Sequence, residues 1–388
     1  MNYNIFCSSY FDPLGHPLFA KKIVENIRHL NASGSIVRVF AVSQGFSNEG
    51  KDEVFLPITV PLFGGLYSIE NKKILVSKYG YLGKVIHYIV RFFTITIFYL
   101  KVYKNISNKE LNIDLEFEPI QDFFASILRP FYGNHVGVIH NFPLSGSKAK
   151  NPIYKKISLK LFKYGLNKYP NRKLAVMNES ALSHAIEIGL CEKRMVLAGW
   201  GYDLMPFEQK SSQEKTSKLT RLLSFGVMRR DKRISELTDL FIALDNKDIQ
   251  LNIIGKSIDI DVKALRNKVT LSRTNTDINI QDVFIEDDKV ANLIKQNDIM
   301  VLSHQESFTS MSGPMLLALQ YSKPILCFSS NAVADLVIES GSGIVLNMNE
   351  YNLDDLAMKI NDLKNLEYDS GKLEKFQWKS ITKRLITS

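Results

Sequence analysis

The sequence predicts an α/β protein made of two doubly wound domains, and three observations support this. Short apolar runs alternate with amphipathic stretches along most of the chain, as in parallel sheets that are covered by helices on both faces. The chain has 388 residues, enough for two or three domains. A polar stretch without periodicity, residues 208–219, interrupts the alternation and indicates a linker.

Composition narrows the class of protein further. Hydrophobic residues make up 45% of the chain and charged residues 23%, which excludes a disordered chain, a collagen-like repeat and a polytopic membrane protein. Three scattered cysteines are too few for a disulfide scaffold or a zinc cluster, so we expect a reducing, cytoplasmic compartment. The first ten residues lack a basic start followed by a long apolar run, so no signal peptide is expected.

The first half of the chain begins like a doubly wound unit. A short strand, Ile5–Cys7, precedes a turn-rich loop at 12–17, an amphipathic helix at 18–31 and a second strand, Val37–Val42. Two further buried strands are predicted at Val136–His140 and Leu174–Met177. Because parallel sheets bind ligands outside the carboxyl ends of their strands, the residues that follow each strand are the first candidates for a site.

The second half repeats the alternation after the linker. Strands are predicted at Leu222–Phe225, Leu251–Ile254, Ile299–Leu302, Ile325–Phe328 and Ile344–Leu346, with helices at 233–244, 289–295, 314–321, 332–339 and 353–363. The predicted domains are residues 1–205, a linker at 206–220, a second domain at 221–370, and a last helix within 371–388 that packs back on the first domain.

Positive charge is concentrated in the first half. The net charge is +9, of which residues 1–200 carry +11 and residues 201–388 carry −2. Residues 123–178 contain no acidic residue but ten lysines and arginines. A field of one sign attracts anionic partners, which here means nucleic acid, anionic lipid or a phosphate-bearing substrate.

Two segments bear on that choice. Residues 152–170 place Ile153, Ile157 and Leu161 on one helical stripe with lysines largely off it, which fits either a core-facing helix with a basic back or a helix lying on a membrane surface. The aromatic-rich segment 85–103 has an uninterrupted apolar run of nine residues. A spanning helix needs about 20, so this segment is not expected to cross a bilayer. The sequence shows no standard nucleic-acid recognition module.

Two loops that follow predicted strands carry the residues suited to bind phosphate. Gly226 permits a tight turn after its strand, and Arg229 and Lys232 then place two cations at the strand end. A solvated helix start is the alternative, but cations there oppose the helix dipole unless an anion offsets them. The second loop leads to Pro314, suited to the first turn of a helix, and offers the amides of Ser312 and Gly313 with the hydroxyls of Thr309, Ser310 and Ser312. A simple serine-capped helix is the alternative for this loop.

In this order, these features resemble the GT-B glycosyltransferases, and specifically the retaining enzymes around glycosyltransferase family 4. The resemblance covers most of the chain and is clearest over residues 220–388. Phe225–Lys232 resembles the family's phosphate-binding segment, in which a glycine, an arginine and a lysine follow a strand. The other matching segments are NDIMVLS at 297–303, SKPI at 322–325, DLV at 335–337 with GSGIV at 341–345, and FQW at 376–378.

The first half carries fewer matches. The resemblance places Gly15 in the family's glycine loop facing the donor, likens Ile139–Asn141 to its strand-end histidine, and likens Gly199–Asp203 to its interdomain segment. From its own chemistry, His140 could hydrogen-bond a sugar hydroxyl or take its proton, or it could simply hold the loop.

The sequence differs from the family pattern at one place. The family has two glutamates, separated by seven residues, that contact the donor sugar and the ribose respectively. Here Glu306 is followed eight positions later by Pro314. If the alignment is anchored at Pro324 instead, the two positions become Thr309 and Leu317. The second glutamate is absent in both alignments, so the ribose contact must come from elsewhere or the donor is held differently. Glu306 is either the sugar-contacting carboxylate or an ordinary carboxylate at the rim.

The resemblance implies a hexosyltransferase that moves a sugar from a nucleotide-diphosphate sugar to a lipid-linked saccharide in assembly of O-antigen, capsule or exopolysaccharide. The donor would bind in 221–370 and the acceptor in 1–205, with the two domains facing a central cleft. His140, Glu306, Arg229 and Lys232 would be catalytic. Gly15, Gly226, Thr309, Ser310, Ser312 and Gly313 would help Arg229 and Lys232 to hold the donor. The enzyme would be retaining and would work in the cytoplasm, peripherally on the inner face of the plasma membrane.

No metal and no cofactor is expected, because the donor is a substrate and GT-B enzymes do not generally need a metal. Asp259 and Asp261 have the form of a DxD metal pair but lie in a polar loop, which we interpret as solvated. Two alternatives stay open: an inactive GT-B scaffold that binds nucleotide-sugar or lipid, and a sugar-nucleotide epimerase on the same fold. A Rossmann dehydrogenase is disfavoured because no GxGxxG follows the first strand.

Overall fold

The chain forms two compact units, each built around a parallel sheet. The computed structural model describes residues 3–7, 16–30, 37–42, 54–58, 69–140, 152–199, 201–203, 218–306, 308, 312–328, 332–348, 350, 352–366 and 369–387. The first unit comprises Met1–Trp200 with Trp378–Ser388, and the second comprises Gly201–Gln377. Most of the predicted linker at 206–220 lies outside the described residues.

The first unit contains seven strands among its described residues. In chain order its elements are β1 (Tyr3–Phe6), α1 (His16–Leu30), β2 (Val37–Val42), β3 (Val54–Ile58), α2 (Ile69–Asn105), β4 (Leu111–Asp114), α3 (Pro119–Leu128), β5 (His135–Ile139), α4 (Pro152–Lys168), β6 (Arg172–Val176), α5 (Glu179–Glu187), β7 (Met195–Leu197) and the last helix of the chain, Trp378–Thr387.

The strands of the first unit are ordered β3-β2-β1-β4-β5-β6-β7, and all pair in parallel. The order reverses between β1 and β4. Because parallel crossovers are right-handed, helices on the two sides of this reversal cover opposite faces of the sheet. The contacts agree: α1 packs on the last helix, with Phe19 and Trp378 ring centroids 5.4 Å apart, whereas α2, α3 and α4 pack side by side.

Helix α2 contains the segment for which the sequence predicted no membrane span. Its part Tyr79–Asn105 has 27 residues and contains an 18-residue window with mean hydropathy 1.5, so by length and composition it could cross a bilayer, and the nine-residue apolar run does not by itself exclude a span. In the structure, 44% of its most apolar window is buried within the fold. Tyr99 donates a hydrogen bond to Asp114 at 2.6 Å, and Tyr103 donates one to Asp122. These contacts are typical of a helix packed into a protein core.

The second unit contains six strands among its described residues. Its elements are β8 (Thr220–Phe225), α6 (Ile234–Leu244), β9 (Ile249–Gly255), α7 (Val262–Ser272), β10 (Asp277–Asp282), α8 (Asp287–Lys295), β11 (Ile299–Leu302), α9 (Gly313–Gln320), β12 (Ile325–Cys327), α10 (Ala332–Ser340), β13 (Gly343–Val345), α11 (Leu353–Leu363) and α12 (Ser370–Leu373). The helix Trp378–Thr387 is α13.

The strands of the second unit are ordered β10-β9-β8-β11-β12-β13, again all parallel. Two buried apolar clusters flank this sheet. The order reverses between β8 and β11, which creates a crevice at the carboxyl ends of these two neighbouring strands. Both loops that the sequence selected for phosphate binding start at this reversal.

The sequence predicted most elements of the second unit to within a few residues but missed α7 and β10. Strand β10 lies at the edge of the sheet, and three of the six residues in its sequence, DINIQD, are exposed, so it has no apolar run to reveal it. Helix α7 begins after Asp261, whose side chain accepts a hydrogen bond from the Ala264 amide at 3.0 Å. Asp261 is therefore a helix cap and not part of an unstructured loop.

Candidate functional site

The candidate site lies at the strand reversal of the second unit. One loop, residues 226–233, follows β8, and the other begins at Ser303, directly after β11. Backbone and side-chain hydrogen bonds tie them together: Ser303 Oγ donates to the Lys232 carbonyl at 2.6 Å, and the Gln305 amide donates to the Asp231 carbonyl at 2.7 Å. The two loops are thus held as one surface at the carboxyl edge of the sheet.

Gly226 allows three parts of this surface to approach one another. Its φ of 98° lies in the region that favours glycine. A Cβ at this position would lie 3.1 Å from Lys232 Nζ and 3.5 Å from Cγ of Pro314, at the start of α9. The ammonium group, the turn after β8 and the first turn of α9 therefore converge, and any side chain larger than glycine would lie between them.

Lys232 holds its charge in a half-buried position. Its Nζ donates a hydrogen bond to the Phe225 carbonyl at 3.1 Å, at the end of β8. The pKa of Lys232 is lowered to about 8, mainly by burial and then by the neighbouring Arg229, whereas Asp231 acts in the opposite direction. An anion beside Nζ would stabilise the ammonium form, so the site favours a negatively charged ligand.

Arg229 lies nearby but is more exposed. Its guanidinium Nη2 is 2.9 Å from Oδ2 of Asp231, and the two side chains are 44% and 33% exposed. Such a pair contributes little to stability in water, so the guanidinium can exchange this carboxylate for another anion at small cost. Asp231 Oδ1 is buried and has no hydrogen-bond partner among the described residues.

The start of α9 supplies the second half of the candidate site. Ser312 occupies the cap position, is 2% exposed, and makes no capping hydrogen bond with its side chain. Its Oγ is buried without a hydrogen-bond partner in the described part of the chain. The first amides of a helix carry partial positive charge, so this end of α9 can bind an anion next to Lys232.

His304 belongs to the same loop and was not selected from the sequence. It is buried, and its ring stacks nearly parallel on Phe308 with centroids 4.3 Å apart. Burial is the main cause that lowers the pKa of His304 to about 3, and the charges of Lys232 and Arg229 contribute to the same shift. The imidazole is therefore neutral at physiological pH. Its position directly after β11 was the available signal, but burial beside two cations cannot be inferred from spacing.

The remaining predicted residues are distributed as follows. Glu306 is exposed in the loop after β11, and Gly313 begins α9, where an added Cβ would meet nothing within 4 Å. Gly15, Thr309 and Ser310 lie outside the described residues. Leu317, the alternative position of the second glutamate, lies on α9 and packs against the apolar core.

His140 lies in the first unit, directly after β5. Its Nε2 is 2.7 Å from the carbonyl oxygen of Leu115, to which it donates a hydrogen bond, and its ring meets Phe19 edge-on with centroids 5.1 Å apart. The imidazole thus links the loop after β4 to helix α1. This arrangement fixes the tautomer with the proton on Nε2.

Neither aspartate of the DxD pair is arranged as a metal ligand. Asp259 Oδ1 accepts a hydrogen bond from the Arg230 amide at 2.9 Å, while Asp261 caps α7. Asp259 therefore supports the loop that carries Arg229 and Lys232. Among the described residues, no group of three His, Cys, Asp or Glu side chains could hold a metal ion.

Comparisons with known proteins bear on this architecture. Residues 206–379 match the family described as glycosyl transferases group 1. The solved structure of the lipopolysaccharide outer core galactosyltransferase WaaB is similar over 100% of this chain and 98% of its own, with a TM-score of 0.61 and 12% identity. Anabaena HepE, solved with UDP and glucose, is similar over the same shares, with a TM-score of 0.61 and 14% identity.

A trehalose-6-phosphate synthase, OtsA, is similar over 100% of this chain and 96% of its own, with a TM-score of 0.59 and 13% identity. The chain has the GT-B fold. This confirms the fold class predicted from the sequence. Among curated proteins, none matches the chain by sequence. The match to glycosyl transferases group 1 includes all of the candidate site in the second unit.

Proposed function

We propose that the chain is a glycosyltransferase that takes a hexose from a nucleotide-diphosphate sugar. The observation that carries this proposal is the convergence of Lys232 Nζ, Gly226 and the start of α9 at the strand reversal of a group 1 domain. The complex of HepE with UDP and glucose supports a nucleotide-sugar donor for a chain of the same fold.

The chemistry follows from where charge develops. When the bond between sugar and diphosphate breaks, negative charge grows on the departing diphosphate. Lys232, Arg229 and the amides at the start of α9 would offset that charge with groups already in position, which is usually the largest contribution to catalysis. The buried hydroxyl of Ser312 would donate a further hydrogen bond to a phosphate oxygen. None of these steps needs a metal ion.

We further propose that the acceptor is a lipid-linked saccharide in surface-polysaccharide assembly, and that the enzyme works on the cytoplasmic face of the membrane with retention of configuration. The excess of +11 in residues 1–200 supports an anionic acceptor such as a lipid pyrophosphate. His140 would act on the acceptor side and Glu306 on the donor sugar, as the resemblance implies. The fold of WaaB, a lipopolysaccharide galactosyltransferase, is compatible with this setting.

One observation favours a second candidate, a scaffold that binds nucleotide-sugar without transferring it. Leu317 occupies the alternative position of the second glutamate and packs against the core, so no carboxylate is available there. Such a scaffold would retain Lys232, Gly226 and Ser312 as a binding site.

Two measurements test the proposal together. A thermal-shift panel of nucleoside diphosphates and their hexose conjugates identifies the donor, since a ligand at a hundredfold excess over its Kd adds about 2.7 kcal/mol of stability. The donor that binds is then incubated with the protein, with and without lipid-linked saccharides. Release of nucleoside diphosphate supports the transferase, binding without turnover supports the scaffold, and the absence of any shift contradicts both. Conversion of the donor to another nucleotide-sugar would indicate an epimerase.

A further inference from the structure

The helices α2, α3 and α4 of the first unit present an exposed surface that is rich in aromatic side chains. We define this aromatic–basic face by its exposed apolar residues, Tyr88, Ile89, Phe93, Phe124, Ile127, Leu128, Tyr132, Ile157 and Tyr164, and by Lys156, Lys160, Lys163 and Lys168. Each of its apolar side chains is between 44% and 71% exposed. A monomeric protein rarely leaves so much apolar surface open without a partner.

The apolar part of the face is continuous across the three helices. Ring contacts connect Phe93 to Phe92 at 5.5 Å, Phe92 to Phe124 at 5.4 Å, Phe124 to Phe123 at 5.6 Å, and Phe123 to Tyr164 at 5.6 Å. The chain of rings therefore runs from α2 through α3 to α4. Of the eight exposed aromatic side chains among the described residues, seven lie on α2, α3, α4 or the turn after α3.

Lys160 and Lys168 lie on the same side of α4 as Tyr164, and Lys156 and Lys163 lie on the adjoining side. Helical spacing places Ile157, Tyr164 and Lys168 along one exposed side of α4, with Lys160 beside them. The Lys168 ammonium lies 5.6 Å from the ring centroids of both Tyr164 and Tyr169, so it is held against the aromatic surface. The sequence had placed Ile157 on an apolar stripe that could face the core, but in the structure this side chain is 48% exposed.

We infer that the aromatic–basic face docks the protein on an anionic membrane surface. Aromatic side chains settle at the boundary between headgroups and acyl chains, and lysines around them attract anionic headgroups. The four defining lysines lie on α4, within the stretch 123–178 that has no acidic residue, so the charge of the face is complementary to anionic lipid.

Other partners fit less well. In a symmetric pair of copies, the face would meet itself and bring lysines opposite lysines, with no acidic residue in 123–178 to offset them. Nucleic acid would be attracted by the lysines but offers no apolar environment for Ile127 and Leu128, which are 51% and 71% exposed. A membrane interface accommodates both components of the face.

The experiment measures binding of the full chain to vesicles of phosphatidylcholine alone and of phosphatidylcholine mixed with phosphatidylglycerol. We expect binding to the mixed vesicles only, weakened by salt. Lys156→Gln, Lys160→Gln and Lys163→Gln together should weaken this binding on the order of 100-fold, at about fivefold for each lysine. The matched control replaces three exposed lysines of the second unit, Lys247, Lys263 and Lys289, and should bind as the parent chain does.

A second variant tests the rings. Phe93→Ser, Phe124→Ser and Tyr164→Ser together should abolish the binding that survives at high salt, while thermal unfolding stays close to that of the parent because these side chains are half-exposed. If this variant does not fold, Phe124→Ser alone provides the same comparison.

Several results would overturn the inference. Equal binding to both vesicle types, or equal weakening by the control lysines, would show that this face does not recognise anionic lipid. Retention in vesicles after an alkaline carbonate wash would indicate that α2 spans the bilayer. A larger particle in solution that dissociates in the Phe124→Ser variant would indicate self-association, and displacement from vesicles by nucleic acid would indicate a nucleic-acid partner.

The inference rests on the proposed function for its setting, so the two must be able to fail separately. Donor turnover by each variant is therefore measured without vesicles, with water or a soluble saccharide as acceptor. Unchanged turnover with lost vesicle binding supports the docking face. Vesicle binding by a protein that turns over no donor would leave the docking face standing and contradict the proposed activity.

Discussion

Both units have ionisable side chains at strand ends, but at opposite ends of the strands. In the first unit each charge has a buried counter-charge, whereas in the second unit two cations share one carboxylate. In the first unit, Asp122 and Arg172 form a buried ion pair at the amino end of β6, and each side chain is less than 5% exposed. Arg172 also donates to Ser126 Oγ at 2.9 Å and lies over the Tyr169 ring at 4.2 Å. In the second unit, Arg229 and Lys232 share the single carboxylate of Asp231 at the carboxyl end of β8.

From this difference we propose that the Asp122–Arg172 cluster is structural and that the Arg229–Lys232 cluster is functional. Where a charged group finds its counter-charge inside the fold, as Arg172 does, the cluster contributes to a unique packed structure. Where two cations share one half-buried carboxylate, as Arg229 and Lys232 do, the remaining compensation can come from a ligand. Shifted pKa values occur in both regions: burial raises the pKa of Asp114 to about 8, although Tyr99 donates to it within the core.

The largest effect is expected in the first unit. Asp122→Ala leaves the Arg172 guanidinium buried without its partner and should lower the free energy of unfolding by about 3–5 kcal/mol. Urea denaturation measures this loss. The matched control, Asp122→Ala with Arg172→Met, removes both charges and should recover much of the stability. A loss below about 1 kcal/mol for Asp122→Ala would show that the pair is not a structural element of this unit.

The second prediction concerns the cation of the other cluster. Lys232→Ala should lower turnover of the donor by about 10²–10³-fold, because one preorganised group that offsets charge in the transition state is removed. The free energy of unfolding should stay the same or rise, since burial lowers the pKa of this lysine and its removal relieves that cost. Lys256→Ala, an exposed lysine near the same loop, serves as the control. Unchanged turnover in Lys232→Ala would contradict the catalytic assignment.

The sequence was sufficient for the frame of the second unit because its strands are buried on both faces. Strand β11 and helix α11 have the predicted limits, Ile299–Leu302 and Leu353–Leu363. The sequence was insufficient where tertiary structure decides the backbone conformation of single residues. Helix α6 begins at Ile234 because Arg233 adopts φ of 49°, and Ser322 adopts the same φ at the turn before β12.

In the candidate site, too, the sequence predicted some residues and missed others. Gly226, Lys232 and Ser312 were chosen from their positions after strands, and the strand order then places their loops side by side. His304 was missed because only the folded chain shows that it is buried, stacked on Phe308 and close to two cations. Spacing in a sequence indicates which residues follow a strand, but not which of them turn inward.

The third prediction uses the titration of Lys232. Its pKa in the ligand-free protein is lowered to about 8, and a bound diphosphate raises it. The ligand therefore prefers the protonated lysine: affinity for a nucleoside diphosphate should be constant below pH 8 and should fall by about tenfold per pH unit above it. The second ionisation of a phosphate lies near pH 6, so the ligand itself does not account for this change. Calorimetry across pH 7–10 measures the effect, and it should vanish in Lys232→Ala.

The smallest effect is expected at Ser312, where two measurements should change in opposite directions. Its Oγ is buried without a partner among the described residues, so Ser312→Ala removes an unsatisfied polar group and should leave the free energy of unfolding unchanged or higher by about 1 kcal/mol. If Oγ donates to a phosphate oxygen of the donor, the same change should weaken nucleoside diphosphate binding by about tenfold or more.

Unchanged or higher stability together with weaker nucleoside diphosphate binding would identify Ser312 Oγ as a ligand contact and not a structural one. A serine that only caps α9 would lose stability on replacement by alanine and leave affinity nearly unchanged. Ser312→Thr keeps the hydroxyl and should retain more affinity than Ser312→Ala, provided that the added methyl group is accommodated. A fall in stability with intact binding would show that Ser312 has a structural role, as Asp122 and Arg172 do in the first unit. Lys232 and Arg229 would then hold the diphosphate without a contact from Ser312.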